Sequence, residues 1–198
     1  MDIHGLKGCC GKADVTTALE NVLKRIENDF NGLNETMQEG HCNALYAKDT
    51  RESAWDIKEL AANGLYDAWK WPHLEQGSGL SECERTVTVA GKCYYSAAVN
   101  YAMWGKINSL CNKRYQGQNI EHTFMHTIAA VGFWKTTNYL LNDPSSLQIN
   151  HLTQALDFTR YGYYGKLTGM SHLKNCSTKN AEPISNLNNS WKDSQGER

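Results

Sequence analysis

The sequence predicts a mainly α fold of four to five helices with a small β hairpin or sheet, with α+β as the alternative. Three observations predict it. Apolar residues recur at three- and four-residue steps along several long stretches. One stretch, Arg85 to Val89, alternates with strand period. Breaks such as Gly64 and Asn142-Asp143-Pro144 separate the helical stretches.

The elements follow in order. Val15, Leu19, Val22, Leu23, Ile26, Phe30 and Leu33 predict one amphipathic helix from Asp14 to about Gln38. Asp14 suits its cap, and Thr17 with Glu20 has capping-box spacing. Gly40-His41-Cys42 reads as a break. Ser53 to Asn63 reads as a second helix, with Gly64 as its stop. An aromatic stretch and a Gly-rich loop lead to the Arg85–Val89 strand, and Gly91 fits a turn. A helix follows from Tyr94 or Ser96 to Cys111, then another from Glu121 to Leu141, apolar nearly all round. The residue before Pro144 resists helix and ends it. Asn150 to about Thr159 reads as a shorter helix, followed by an ordered Gly/Tyr loop from Tyr161. Residues 1–173 form the expected single domain, and 174–198 a polar tail expected to be mobile.

Composition narrows the function. The net charge is −1 and the basic residues are scattered, which gives no global reason to bind nucleic acid or anionic lipid. No segment has the roughly 20 apolar residues of a membrane helix, and the N-terminus has no signal-peptide core. The expectation is a chain made in the cytoplasm without a cleaved signal peptide. Seven cysteines is an odd count, so at least one lies outside any intramolecular pair. No CxxC pair occurs, and neither a metal nor a cofactor is expected.

Cys93 is the leading candidate for chemistry. It follows a strand and Gly91-Lys92 and precedes a helix. A helix N-terminus stabilises a thiolate and makes it a better nucleophile. The same residue could equally be a metal ligand, half of a disulfide or a small core residue. A nucleophile needs a base. His122 and His126, four apart, share a face of a predicted helix. They do not form the HExxH pattern, and packing or capping explains them as well. Asp56 could orient a histidine or merely favour a helix start. Asn100 and Tyr101 lie on the Cys93 helix, where a buried amide must find partners. Trp69-Lys70-Trp71 and Tyr161-Gly162-Tyr163-Tyr164 could stack a ligand or fill a core.

Three blocks carry a resemblance: CCGKADVT at Cys9–Thr16, AWDI at Ala54–Ile57, and the run from Val87 to Cys111. Together they resemble cargo and toxin modules of bacterial contractile injection and related secretion systems. The resemblance spans residues 9 to 165 and implies an exported or injected effector. It implies a cognate immunity protein or the delivery apparatus as partner. It places Cys93, Asn100, Tyr101, Trp55 and Asp56 inside matching blocks, and leaves His122 and His126 outside them.

Three readings follow. The first is a hydrolase or transferase toxin with Cys93 as nucleophile on amide or acyl bonds, His126 or His122 as base and Asp56 as orienter. Asn100, Tyr101 and Trp55 would contact its substrate. The second is a toxin whose Asp, Asn and Tyr residues line a nucleotide or glycan pocket. The third is a non-enzymatic helical module, such as an immunity protein or adaptor.

Overall fold

The computed structural model describes residues 10–11, 13–45, 86–99, 101–142, 146–174, 176–179 and 181–183. Five helices of ten residues or more and a small sheet make up these residues, so the fold is mainly α.

A two-residue strand, β1 (Ala13–Asp14), leads into helix α1 (Thr16–Gly32). Asp14 Oδ1 accepts from the Thr16 amide at 3.0 Å and from its hydroxyl at 2.5 Å, which turns the chain one residue before the cap position, Val15. The expected Thr17–Glu20 box is therefore displaced. Leu19, Val22, Ile26 and Phe30 of α1 are buried, as their spacing predicts.

The single helix expected to reach Gln38 is two helices. Leu33 turns extended, and Asn34 caps α2 (Glu35–Ala44) by accepting from the Met37 amide at 3.0 Å. The Gln38 amide donates to the carbonyls of Phe30 and Leu33, serving the end of α1 that would otherwise be short of donors. Gly40-His41-Cys42 is not a break, because α2 runs through it.

β2 (Thr86–Val89) and β3 (Lys92–Tyr95) form the expected antiparallel hairpin, with Thr88 opposite Cys93. Its turn places Ala90 at φ 49° and Gly91 at φ 73°, a region that glycine enters without strain and alanine rarely does. Two short parallel pairings extend the sheet to the order β3-β2-β1-β4, where β4 is Glu182–Pro183. This last strand comes from the stretch read as a polar tail.

After β3 come a helical turn, α3 (Ser96–Val99), and α4 (Tyr101–Arg114). The Tyr95 amide, the last in the strand, donates to buried Gln154 at 2.8 Å. A 3₁₀ turn (Ile120–His122) precedes α5 (Phe124–Asn142), and Thr123 between them is extended. The expected helix from Glu121 is thus interrupted at its start. α6 (Ser146–Tyr164) is longer than expected and continues through Tyr161-Gly162-Tyr163. It ends only at Gly165, at φ 73°, whose amide bonds to the Tyr161 carbonyl.

α4 is the central helix. It packs on α6 most extensively and also meets α1, α2 and α5. Ala102, Ile107, Leu110 and Cys111 of α4 join Phe158 of α6 and the buried face of α1 in one core. No helix among the described residues is long and apolar enough to cross a membrane.

Candidate functional site

Cys93 is a strand residue of β3 rather than a helix N-terminal one, and it has no thiol. Its sulfur is bonded to that of Cys10, and it is buried. The Thr88 hydroxyl donates to the Cys10 sulfur at 3.7 Å. Two conditions behind the nucleophile reading, a helix dipole and a free thiolate, are both missing in this form. The correction has a plain physical origin. The Ala90-Gly91 turn folds the chain back so that Lys92–Tyr95 pairs antiparallel with β2, and β3 therefore occupies the residues read as the approach to a helix.

The two histidines also separate. His122 closes the 3₁₀ turn and is fully buried, whereas His126 lies in the first turn of α5. They do not share a helix face. The Nδ1–H of His126 donates to the Glu121 carbonyl at 2.9 Å, which holds the ring against its own turn.

Tyr101 is half-buried on α4, with the Lys135 ammonium 4.9 Å from its ring centre. Burial raises the Tyr101 phenol and holds the Lys135 amine down to about 8. Trp55, Asp56 and Asn100 lie outside the described residues, as does Trp69-Lys70-Trp71. Tyr161, Tyr163 and Tyr164 belong to α6, where Tyr161 is buried, Tyr163 half-buried and Tyr164 53% exposed. Tyr163 donates to the His122 carbonyl at 2.9 Å, and the Phe124 ring lies tilted against those of Tyr163 and Tyr164.

The densest chemistry lies where α2, α4 and the 3₁₀ turn meet. Cys42 of α2 and Cys111 of α4 form the second disulfide, and both are fully buried. The sulfurs and an imidazole nitrogen of His122 all lie within 4.8 Å of one another. Asn108, one turn before Cys111 on α4, fixes the histidine. Its amide nitrogen donates to the Trp104 carbonyl at 2.9 Å, which leaves its oxygen facing His122 Nδ1 at 3.1 Å. The ring therefore carries its proton on Nδ1 and its lone pair on Nε2. Tyr115 covers the imidazole, stacked at 5.6 Å and 3° from parallel, and its hydroxyl donates to Asn43 beside Cys42.

Burial, and then the neighbouring His126 charge, hold His122 down to about 4, so the imidazole is neutral at physiological pH. A neutral imidazole fixed by a hydrogen bond beside two sulfurs can serve as a base or as a ligand. Sequence reasoning nominated His122 and missed its companions. Asn108 and Cys111 are three apart on one helix, which was a usable signal. Nothing in their spacing pointed to Cys42.

Two further features frame the site. The groove between α1, α2 and α4, about 320 Å³, is lined by Glu27, Phe30, Gln38, Lys113 and Arg114. None of the residues nominated from the sequence lines it. On α5, Met125, Ala129 and Phe133 are exposed at four-residue steps, and Ile120 stands exposed just before them. Met125 and Phe133 are 75% and 76% exposed, so this apolar helix, expected to be buried, turns a greasy row to the outside.

Compared with protein-family models, curated proteins and solved structures, the chain matches none.

Proposed function

We propose that the chain is an exported effector-type protein that acts by binding a protein partner, with Cys93 held in a structural bond rather than engaged in chemistry. The bond between Cys10 and Cys93 carries this reading, because it occupies the best nucleophile in the sequence. Two disulfides, spanning 83 and 69 residues, suit an oxidising compartment rather than a cytosol. The row Met125, Ala129 and Phe133 supports contact with an apolar protein surface. It bears no charge, and the near-neutral chain favours no polyanion. An immunity protein or a component of the delivery apparatus is the partner class that fits.

The test directs the chain to the periplasm of a sensitive bacterial host. A Cys10→Ala/Cys93→Ala variant should keep the growth effect of the parent, and a Met125→Asp/Phe133→Asp variant should lose it. A folded cysteine variant that is harmless, beside a surface variant that remains toxic, would return the nucleophile reading. A harmless parent that forms a stable complex with the product of the adjacent gene would mark an adaptor or immunity protein.

A further inference from the structure

We propose that Cys42, Cys111 and His122, with both cysteines in the thiol form, make a binding site for a soft divalent cation of the zinc type. Three observations support it. The three donors are fully buried and come from three different elements, α2, α4 and the 3₁₀ turn, so the fold rather than local sequence brings them together. Their ligand atoms already lie within 4.8 Å of one another. Tetrahedral zinc with two sulfurs at about 2.3 Å needs those sulfurs about 3.8 Å apart, so parting the reduced pair is the main adjustment. The histidine is also prepared. Asn108 takes its Nδ1–H, and Asn108 is itself anchored on the Trp104 carbonyl. This is the kind of outer support that fixes ring and tautomer in metal sites.

Two thiolates and one imidazole leave a fourth position for water. Binding is a simple exchange: both thiols lose their protons, the cation takes both thiolates, and two protons are released for each cation bound. The disulfide and the cation compete for the same two sulfurs. The oxidised protein cannot bind the ion here, and the loaded protein cannot close this disulfide.

The experiment uses the full chain, reduced by a phosphine without oxygen, with Zn²⁺ and its spectroscopic substitute Co²⁺. The reduced chain should bind one Co²⁺ with thiolate-to-metal charge-transfer absorption and tetrahedral visible bands, and Zn²⁺ should displace it. The oxidised chain should show neither. Cys42→Ser should abolish the charge-transfer signal of this site while the five cysteines outside it remain. His122→Gln should weaken binding by more than about a hundredfold, beyond the roughly 10–100-fold that loss of a supporting hydrogen bond alone can reach. Equal binding by the parent, Cys42→Ser and His122→Gln would overturn the proposal, because the ion would then sit on other thiols. If reduction unfolds the chain, Zn²⁺ should restore its helical circular dichroism, and failure to do so would overturn it equally.

Discussion

Gly105 of α4 and Gly162 of α6 face each other's backbones where the two helices cross. A Cβ on Gly105 would be driven into the Thr159 carbonyl, and one on Gly162 into the Ala102 carbonyl, both well inside van der Waals contact. The obstacles are main-chain atoms of a packed helix, which cannot rotate away. In a helix interior, Gly→Ala ordinarily stabilises by about 0.5–1 kcal/mol. Here the sign reverses. Gly105→Ala or Gly162→Ala should lose about 3 kcal/mol or more, at the upper end of overpacking penalties, because α4 and α6 must separate. Gly40 on α2 is the control, with open space around its would-be Cβ. Gly40→Ala should gain about 0.5 kcal/mol. Urea unfolding of the three variants checks both signs.

This crossing also explains where sequence reading stopped. Periodicity located α1, α4 and α5 because each repeats its apolar residues along one chain segment. The Thr86–Val89 alternation and the Ala90-Gly91 turn located the hairpin for the same local reason. Glycine misled it twice. Gly162 looked like a loop residue but is a contact residue, and Gly40 looked like a break but merely faces open space. The α1–α2 joint was hidden because Leu33 continues the apolar period while its backbone leaves the helix. The cysteine pairs were illegible since each joins residues far apart in the chain, and seven cysteines allow many pairings. His122 stood out by residue type, but its burial depends on α2 and α4 closing around it.

Asp157 ties the segment after α6 to the helix. Its Oδ2 accepts from the Ser171 amide at 2.7 Å, and its Oδ1 accepts from Arg160 at 2.6 Å. The carboxylate is nearly buried, whereas Arg160 is half exposed, so the amide contact matters more than the ion pair. Asp157→Ala should cost about 2 kcal/mol, the range for stranding a partner of a charged acceptor. Amide exchange should quicken around Ser171 more than in α1. Asp157→Asn, which keeps an acceptor, should recover about half of the loss.

Acid should weaken the disulfide-bonded protein through His122. Its folded value is about 4 against an ordinary 6.5. Between these values the unfolded chain takes up a proton that the folded chain refuses, so stability rises with pH across this window. The contribution is fully present above about pH 6.5, falls as the pH drops, and is spent below about 4. It amounts to about 3 kcal/mol. His41, lowered by burial, acts in the same direction. Denaturant unfolding at pH 7 and pH 4.5 should show a smaller loss for His122→Gln than for the parent. Equal losses in the two proteins would remove His122 as the cause.

The two disulfides make separable predictions. Proteolysis of the unreduced protein and mass spectrometry should recover a peptide linking Cys10 to Cys93 and another linking Cys42 to Cys111. The first joins the chain ahead of β1 to β3, across a β1–β2 pairing of one residue pair and a β1–β4 pairing of two. So short an edge has little strength of its own, and the cross-link holds the N-terminal segment on the sheet. Closing a loop of 83 residues contributes about 4 kcal/mol by restricting the unfolded chain. Cys10→Ala/Cys93→Ala should lose about that much, with amide protection falling first at Val15, whose N–H bonds to the Thr88 carbonyl. The α4–α6 crossing should hold its protection, because its packing does not pass through the sheet. A variant that loses protection evenly throughout would show that the bond supports the whole core and not this edge.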